Sequence, residues 1–205
     1  MATVSVRGRG RVAAQPDEVE VGLTVEALRD SAAEASSSAS ELAQAVIDLC
    51  EELGVPAASR TTSRVSLAEH GEHTNDGWRH RGYRGTARLT VRLTDASEAS
   101  RLLTEAAARL QVRLDGPTWW IDDANPGPAE ARRLAAVDAR AKASEYAEAL
   151  GARLGPLVSV AEPGTGASTR DDGVVTRYAA AAMPIEAGEH EIVAELDVTF
   201  QLEHE

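Results

Sequence analysis

The chain of 205 residues has a single cysteine, Cys50. An internal disulfide and any cysteine-rich metal cluster are therefore excluded. Aromatic residues make up only 3%, so each tryptophan has to be accounted for. No run of apolar residues matches the core of a signal peptide (about 7–15 residues) or a membrane-spanning helix (about 20). The chain as it stands reads as soluble and cytoplasmic, or as periplasmic or secreted if a leader has been cleaved from it. Positive charge is scarce too: 21 basic residues against 33 acidic ones give a formal charge of −12. Such a surface repels phosphates and anionic lipid on average, which argues against a nucleic-acid partner.

Periodicity supplies the fold class. "TVSVRGRGRV" and "EVEVGLTVEAL" alternate, with Val4, Val6 and then Val19, Val21, Leu23 and Val25 on one side; they read as a hairpin across "AAQPD". Residues 30–53 switch to helical spacing, with Leu42, Val46, Leu49, Cys50 and Leu53 on one stripe and Gly54 as the stop. "SRTTSRVSLAEHG" and "RHRGYRGTARLTVRLTD" form a second hairpin, turning at Asn75, Asp76 and Gly77. A second helix follows, capped by Asp95 or Ser97, and then a fifth strand, "VRLDGPTWWID". The third helix has Pro128 in its first turn, Gly151 beyond its end and a mostly alanine inner face. Asp138 and Lys142 make an i to i+4 ion pair expected on its outer side. "PLVSVAEP" is a sixth strand, and "EIVAELDVTFQLEHE" closes the chain as a seventh.

The order ββαββαβαββ predicts an α+β fold: one mainly antiparallel sheet of about seven strands, with three helices packed on one face. The length suits one domain or two small fused halves. We read residues 1–205 as a single domain with a long loop at 163–188, where periodicity is lost.

Several stretches together resemble the SIMPL-domain family. They are the opening "VSVRGRGRVAAQPDEVEVGLTV", then Gly82, Tyr83 and Arg84 before a strand, the long helix "EARRLAAVDARAKASEYAEALGARLGPLVSVAE", and the closing "AAAAMPIEAGEHEIVAELDVTFQL". The resemblance spans nearly the whole chain. It implies no agreed biochemical activity and no catalytic motif. Members are mostly exported bacterial envelope proteins, some linked to oxidative-stress tolerance and some reported as ring-like homo-oligomers; the founding animal member is linked to kinase signalling. The opening residues read as lacking a leader, which would be a departure from that pattern.

"HGEHTNDGWRH" holds His70, His73 and His80 with Glu72 and Asp76. As a metal site it would use His70, His73 and a carboxylate. Placed at a hairpin tip, it reads instead as a solvated loop, since a mobile tip holds ligands poorly. "RGRGR", residues 7–11, lacks the helix N-terminus that a phosphate loop needs, so its glycines read as relief for a bulge or a close strand approach. Cys50 on an apolar stripe reads as core filler, and the serines of "ASSSAS" fall on the polar face of the same helix. No set of nucleophile, base and orienter emerges, so no catalytic, cofactor-binding or metal residue is assigned. Alternation sends Trp119 and Ile121 inward and Trp120 outward with Asp122; Trp120 is either a contact surface or covered by the second helix or the long loop. Val174, Val175, Tyr178, Ala179 to Ala182, Met183 and Ile185 form the most apolar stretch outside the regular elements.

The expectation is a non-enzymatic homo-oligomer without cofactor, linked to stress tolerance, with an interface at Trp120, Tyr178, Met183 and Ile185. The alternative is a small-ligand or metal-binding protein, or an unrecognised hydrolase, with a pocket near the 70–80 tip and the 163–188 loop.

Overall fold

The structure, a computed structural model, describes residues 2–74, 77–122, 124–163 and 185–203. Seven strands and three α-helices follow the expected order: β1 (Ala2–Ala14), β2 (Glu18–Arg29), α1 (Ala32–Glu52), β3 (Arg60–Thr74), β4 (Gly77–Leu93), α2 (Ala96–Arg109), β5 (Arg113–Trp120), α3 (Pro126–Ala149), β6 (Arg153–Ala161) and β7 (His190–Glu203). The fold is α+β with antiparallel pairing throughout.

The single sheet expected from the sequence is two sheets, in the orders β1-β7-β6 and β3-β4-β2-β5. They belong to two compact units: Met1–Pro16 with Ile121–Asp171 and Gly188–Glu205, and Asp17–Trp120 with Asp172–Ala187. The expected β1–β2 hairpin does not form. β1 pairs along its whole length with β7, and β2 lies between β4 and β5. Alternation tells which face of each strand is buried, but it does not choose the partner strand. Side-chain chemistry suits the partner found: Arg7 and Arg9 on β1 stand opposite Asp197 and Glu195 on β7.

In the four-stranded unit, Val19, Val21, Leu23 and Val25 of β2 and Leu89, Val91 and Leu93 of β4 are buried against α1 and α2. From the helices come Val46, Leu49, Cys50, Leu102 and Leu103. Each large apolar side chain removed from water contributes about 1.5–3 kcal/mol. The helix starts are set by side chains that accept from orphan backbone donors: Ser31 from the Glu34 N–H, and Asp95 from the Ser97 N–H at 2.7 Å. In the three-stranded unit α3 starts at its cap Asn125, which accepts from the Gly127 N–H at 2.8 Å, with Pro126 at its first position.

The buried face of α3 is an i, i+4 series, Ala131, Ala135, Ala139, Ala143 and Ala147, as the sequence predicted. What it packs on is β1. A Cβ at Gly8 would stand 2.7 Å from Ala139 Cβ, and one at Gly10 would stand 2.6 Å from the Ala135 nitrogen. The two glycines thus admit a helix backbone, where the sequence suggested a bulge or a neighbouring strand. Asp138 and Lys142 pair at 2.6 Å, but not on an outer face. The Asp138 carboxylate also accepts from the Arg9 N–H at 2.8 Å, and Lys142 Nζ donates to the Arg7 carbonyl at 3.0 Å. A free sheet edge leaves every second residue's backbone groups unpaired; α3 supplies a charged partner for one donor and one acceptor of β1.

Candidate functional site

Among the described residues, three outermost strands expose large apolar side chains: β3, β6 and, through Trp120, β5. In the four-stranded unit α1 lies over β2 and β4, close enough at Gly85 that a Cβ there would be 3.0 Å from Ala39 Cβ. β3 lies one strand further out and is left largely uncovered. Val65 is 75% exposed and Leu67 48%, although their cross-strand partners Ala87 and Gly85 are buried. The space between is an open groove of about 200 Å³. Ala43 and Ile47 form its helix wall, Val65 and Leu67 its floor, and Ser36, Ser40 and Gln44 its polar rim, with no charged residue in the lining. It is smaller than the roughly 300–1,000 Å³ of small-molecule pockets. In the other unit, β6 is an outer strand with Leu157, Val158 and Val160 more than half exposed.

The sequence reading missed this groove. "TTSRVSLA", residues 61–68, reads as an ordinary strand, and only its position at the sheet edge makes it a surface. A signal was present, since the stretch has neither proline nor lysine, the usual protections of an edge. Ser36 and Ser40 read as part of a polar helix face; the structure sets them at the groove rim.

The histidine stretch is not a loop. It lies on the paired ends of β3 and β4, and only residues 75 and 76 fall between the strands. Each ring has a neighbour. His70 Nδ1 lies 2.9 Å from Arg84 Nη2; a guanidinium cannot accept, so His70 accepts through Nδ1. His73 meets the edge of Trp78 at a centroid distance of 5.0 Å, and His80 meets Tyr83 at 5.2 Å. Glu72 accepts from Arg81 Nε at 3.0 Å. The His70–Arg84, His73–Trp78 and Glu72–Arg81 contacts join β3 to β4, and cross-strand pairs of this kind are ordinary sheet stabilisers; His80 and Tyr83 both lie on β4. Among the described residues no three histidine, cysteine or carboxylate side chains gather to hold a metal ion.

Cys50 is fully buried in the core of the four-stranded unit. Burial pushes its thiol up, the nearby Arg60 charge opposing and Glu51 adding. The thiolate that nucleophilic chemistry needs is therefore disfavoured. The arginines of "RGRGR" lie on the face of β1 away from α3. Arg7 makes a bidentate pair with Asp197 at 2.7 and 2.8 Å, Arg9 pairs with Glu195, and Arg11 reaches Glu191 at 3.3 Å. The Arg7 hydrogen bonds hold the Asp197 carboxyl below the usual carboxylate range.

Trp119 packs against the buried core, while Trp120 is 43% exposed with the Arg92 guanidinium 4.7 Å from its ring centroid. The alternation expected at this pair therefore holds. Ile185 is half-buried against the core of the four-stranded unit. Tyr178 and Met183 lie outside the described residues, as does most of the 163–188 loop.

These elements define an antiparallel α+β protein with exposed apolar strand edges. The chain belongs to the SIMPL family, "protein of unknown function (DUF541)", whose model matches residues 4–200. It is 28% identical over 214 residues to the "26 kDa periplasmic immunogenic protein" of Brucella melitensis, covering 98% of this chain and 85% of that one. The protein of the same description from Brucella abortus (strain S19) matches with the same identity and coverage. Among solved structures, the regulatory subunit of aspartate kinase from Thermus flavus aligns over 93% of this chain and 86% of its own, with 14% identity and a TM-score of 0.25. That score is too low to support an argument about fold or function.

Proposed function

We propose that this SIMPL protein is a non-enzymatic, homo-oligomer-forming component of the bacterial envelope that contributes to stress tolerance. The observation that supports the assembly reading is the exposure of several apolar side chains along the outermost strands β3 and β6, with Trp120 on the outermost strand β5. Unpaired strand edges with exposed apolar residues are what sheet proteins otherwise cover or charge. The apolar stretch around Tyr178 and Met183 adds a further contact in this reading, together with Trp120 and Ile185. An envelope location is supported by the description of both Brucella relatives as periplasmic. Among the described residues no helix is long and apolar enough to cross a membrane. The stress role rests on the family resemblance.

Sedimentation at micromolar concentration tests the assembly. A defined multimer that falls apart when Tyr178 and Met183 are both replaced by glutamate supports it, because a desolvated carboxylate without a partner is strongly unfavourable. A monomer at all accessible concentrations overturns it. Survival of a deletion strain under peroxide, with and without the restored gene, tests the stress role.

A further inference from the structure

We infer that β3 is a self-complementary edge: two copies of this chain join by antiparallel pairing of β3 with β3 about a twofold axis at Ser66. The inference deepens the homo-oligomer reading, on which it rests, by naming a contact. Three observations lead to it. Among the described residues β3 is terminal in its sheet, and no described strand lies on one of its edges. Between Thr61 and Ala68 it has no proline, lysine or glycine, and its only charged residue is Arg64. The groove beside it has no charged residue in its lining and an apolar floor, with Val65 and Leu67 open on the helix side of the strand.

An unpaired edge is satisfied in full only by another extended backbone, and a twofold pairing presents the same edge to itself. The register follows from the pleat. Directly opposed residues in an antiparallel pair share a face, so apolar residues on the helix side must meet each other. Centring on Ser66 sets Val65 of each copy opposite Leu67 of the other, and Arg64 opposite Ala68. Four apolar side chains then form one cluster between the two α1 helices, with no like charges facing across the seam. Centring one residue further on, at Leu67, would set Val65 against Glu69 and Arg64 against His70. The first register is the one the side chains favour.

The test uses the full chain and charge reversal. Val65 and Leu67 are exposed in the single subunit, so V65E/L67E and V65K/L67K should each fold with unchanged circular dichroism. Each alone should raise the dissociation constant of the β3 contact at least about tenfold, which corresponds to about 1.4 kcal/mol. Mixed together, the two variants should pair with each other, since the carboxylates of one then face the ammonium groups of the other on both sides of the twofold. Ser66→Cys should cross-link copies under mild oxidation, and buried Cys50 should not. If the unmodified protein is a multimer, yet both charged variants assemble as it does and show no mutual preference, this contact is wrong and the homo-oligomer reading stands. A monomeric unmodified protein removes both. An assembly lost in each charged variant but not regained on mixing, with no cross-link in Ser66→Cys, overturns the register and with it the twofold at Ser66.

Discussion

The backbone N–H of Arg9 donates to the carboxylate of Asp138 at 2.8 Å, while Lys142, one helical turn on, pairs with the same carboxylate and donates to the Arg7 carbonyl. A side-chain pair predicted to decorate a helix instead fastens that helix to the edge of a strand. Replacing Asp138 by alanine leaves the Arg9 donor without its charged acceptor. The expected cost is about 1–2 kcal/mol, discounted towards the lower figure for partial exposure, and measured by urea denaturation.

The same pair gives a pH dependence. The Lys142 side-chain bond, then the Arg9 backbone bond, lower the Asp138 pKa in the folded protein. A depressed carboxylate contributes stability that is fully present above its unfolded value, about 3.9, and lost as pH falls through the folded one. The stability difference between the native chain and Asp138→Asn should therefore be constant at neutral pH and shrink below about pH 4. A difference that grows on acidification would contradict the assignment.

Gly8 and Gly10 should tolerate nothing larger. The atoms a methyl would meet are those of the α3 backbone and of Ala139, which cannot rotate away as a long side chain could. Gly10→Ala should cost about 1–3 kcal/mol through overpacking, and Gly10→Val more. Thermal unfolding followed by circular dichroism measures both. Gly54, which has open space around it, serves as a control for the packing effect, although its positive φ of 79° adds backbone strain.

His73→Ala removes the edge contact with Trp78 and should cost about 0.2–1 kcal/mol, the size of a cross-strand pair. Chelator or added zinc should leave the melting temperature of the native chain unchanged. A large drop on chelation, reversed by zinc, would show that the histidine ribbon binds metal.

Cys50 should react with iodoacetamide only as fast as the core opens. Its thiol is buried and its pKa is raised by that burial, so alkylation should be slow in native buffer and immediate in denaturant. Rapid labelling of the folded chain would contradict the packing described for α1.

Much of the local structure was legible in the sequence. The helix over residues 30–53 is found at Ala32–Glu52, the Asp95 cap is in place, and Trp119 and Trp120 point to opposite sides as their adjacency requires. The misplaced elements share one cause. Whether "RGRGR" faces a strand or a helix, whether His70 and His73 sit on a loop or on paired strands, and whether Val65 and Leu67 are covered all depend on neighbours distant in the chain.

Periods, caps and turn residues could be read without a structure because they rest on interactions within a few positions along the chain: a side chain accepting from an N–H two or three residues away, a glycine at positive φ, an apolar stripe at 3.6 or 2. Folding in three dimensions was needed to give β1 its partner β7, 190 residues away at Arg7 and Asp197, and to divide the strands between two sheets. Among the described residues it also left β3 at an edge with Val65 and Leu67 exposed. Strand pairing is chosen by the sum of side-chain matches across a whole register, and no single segment contains both halves of that sum.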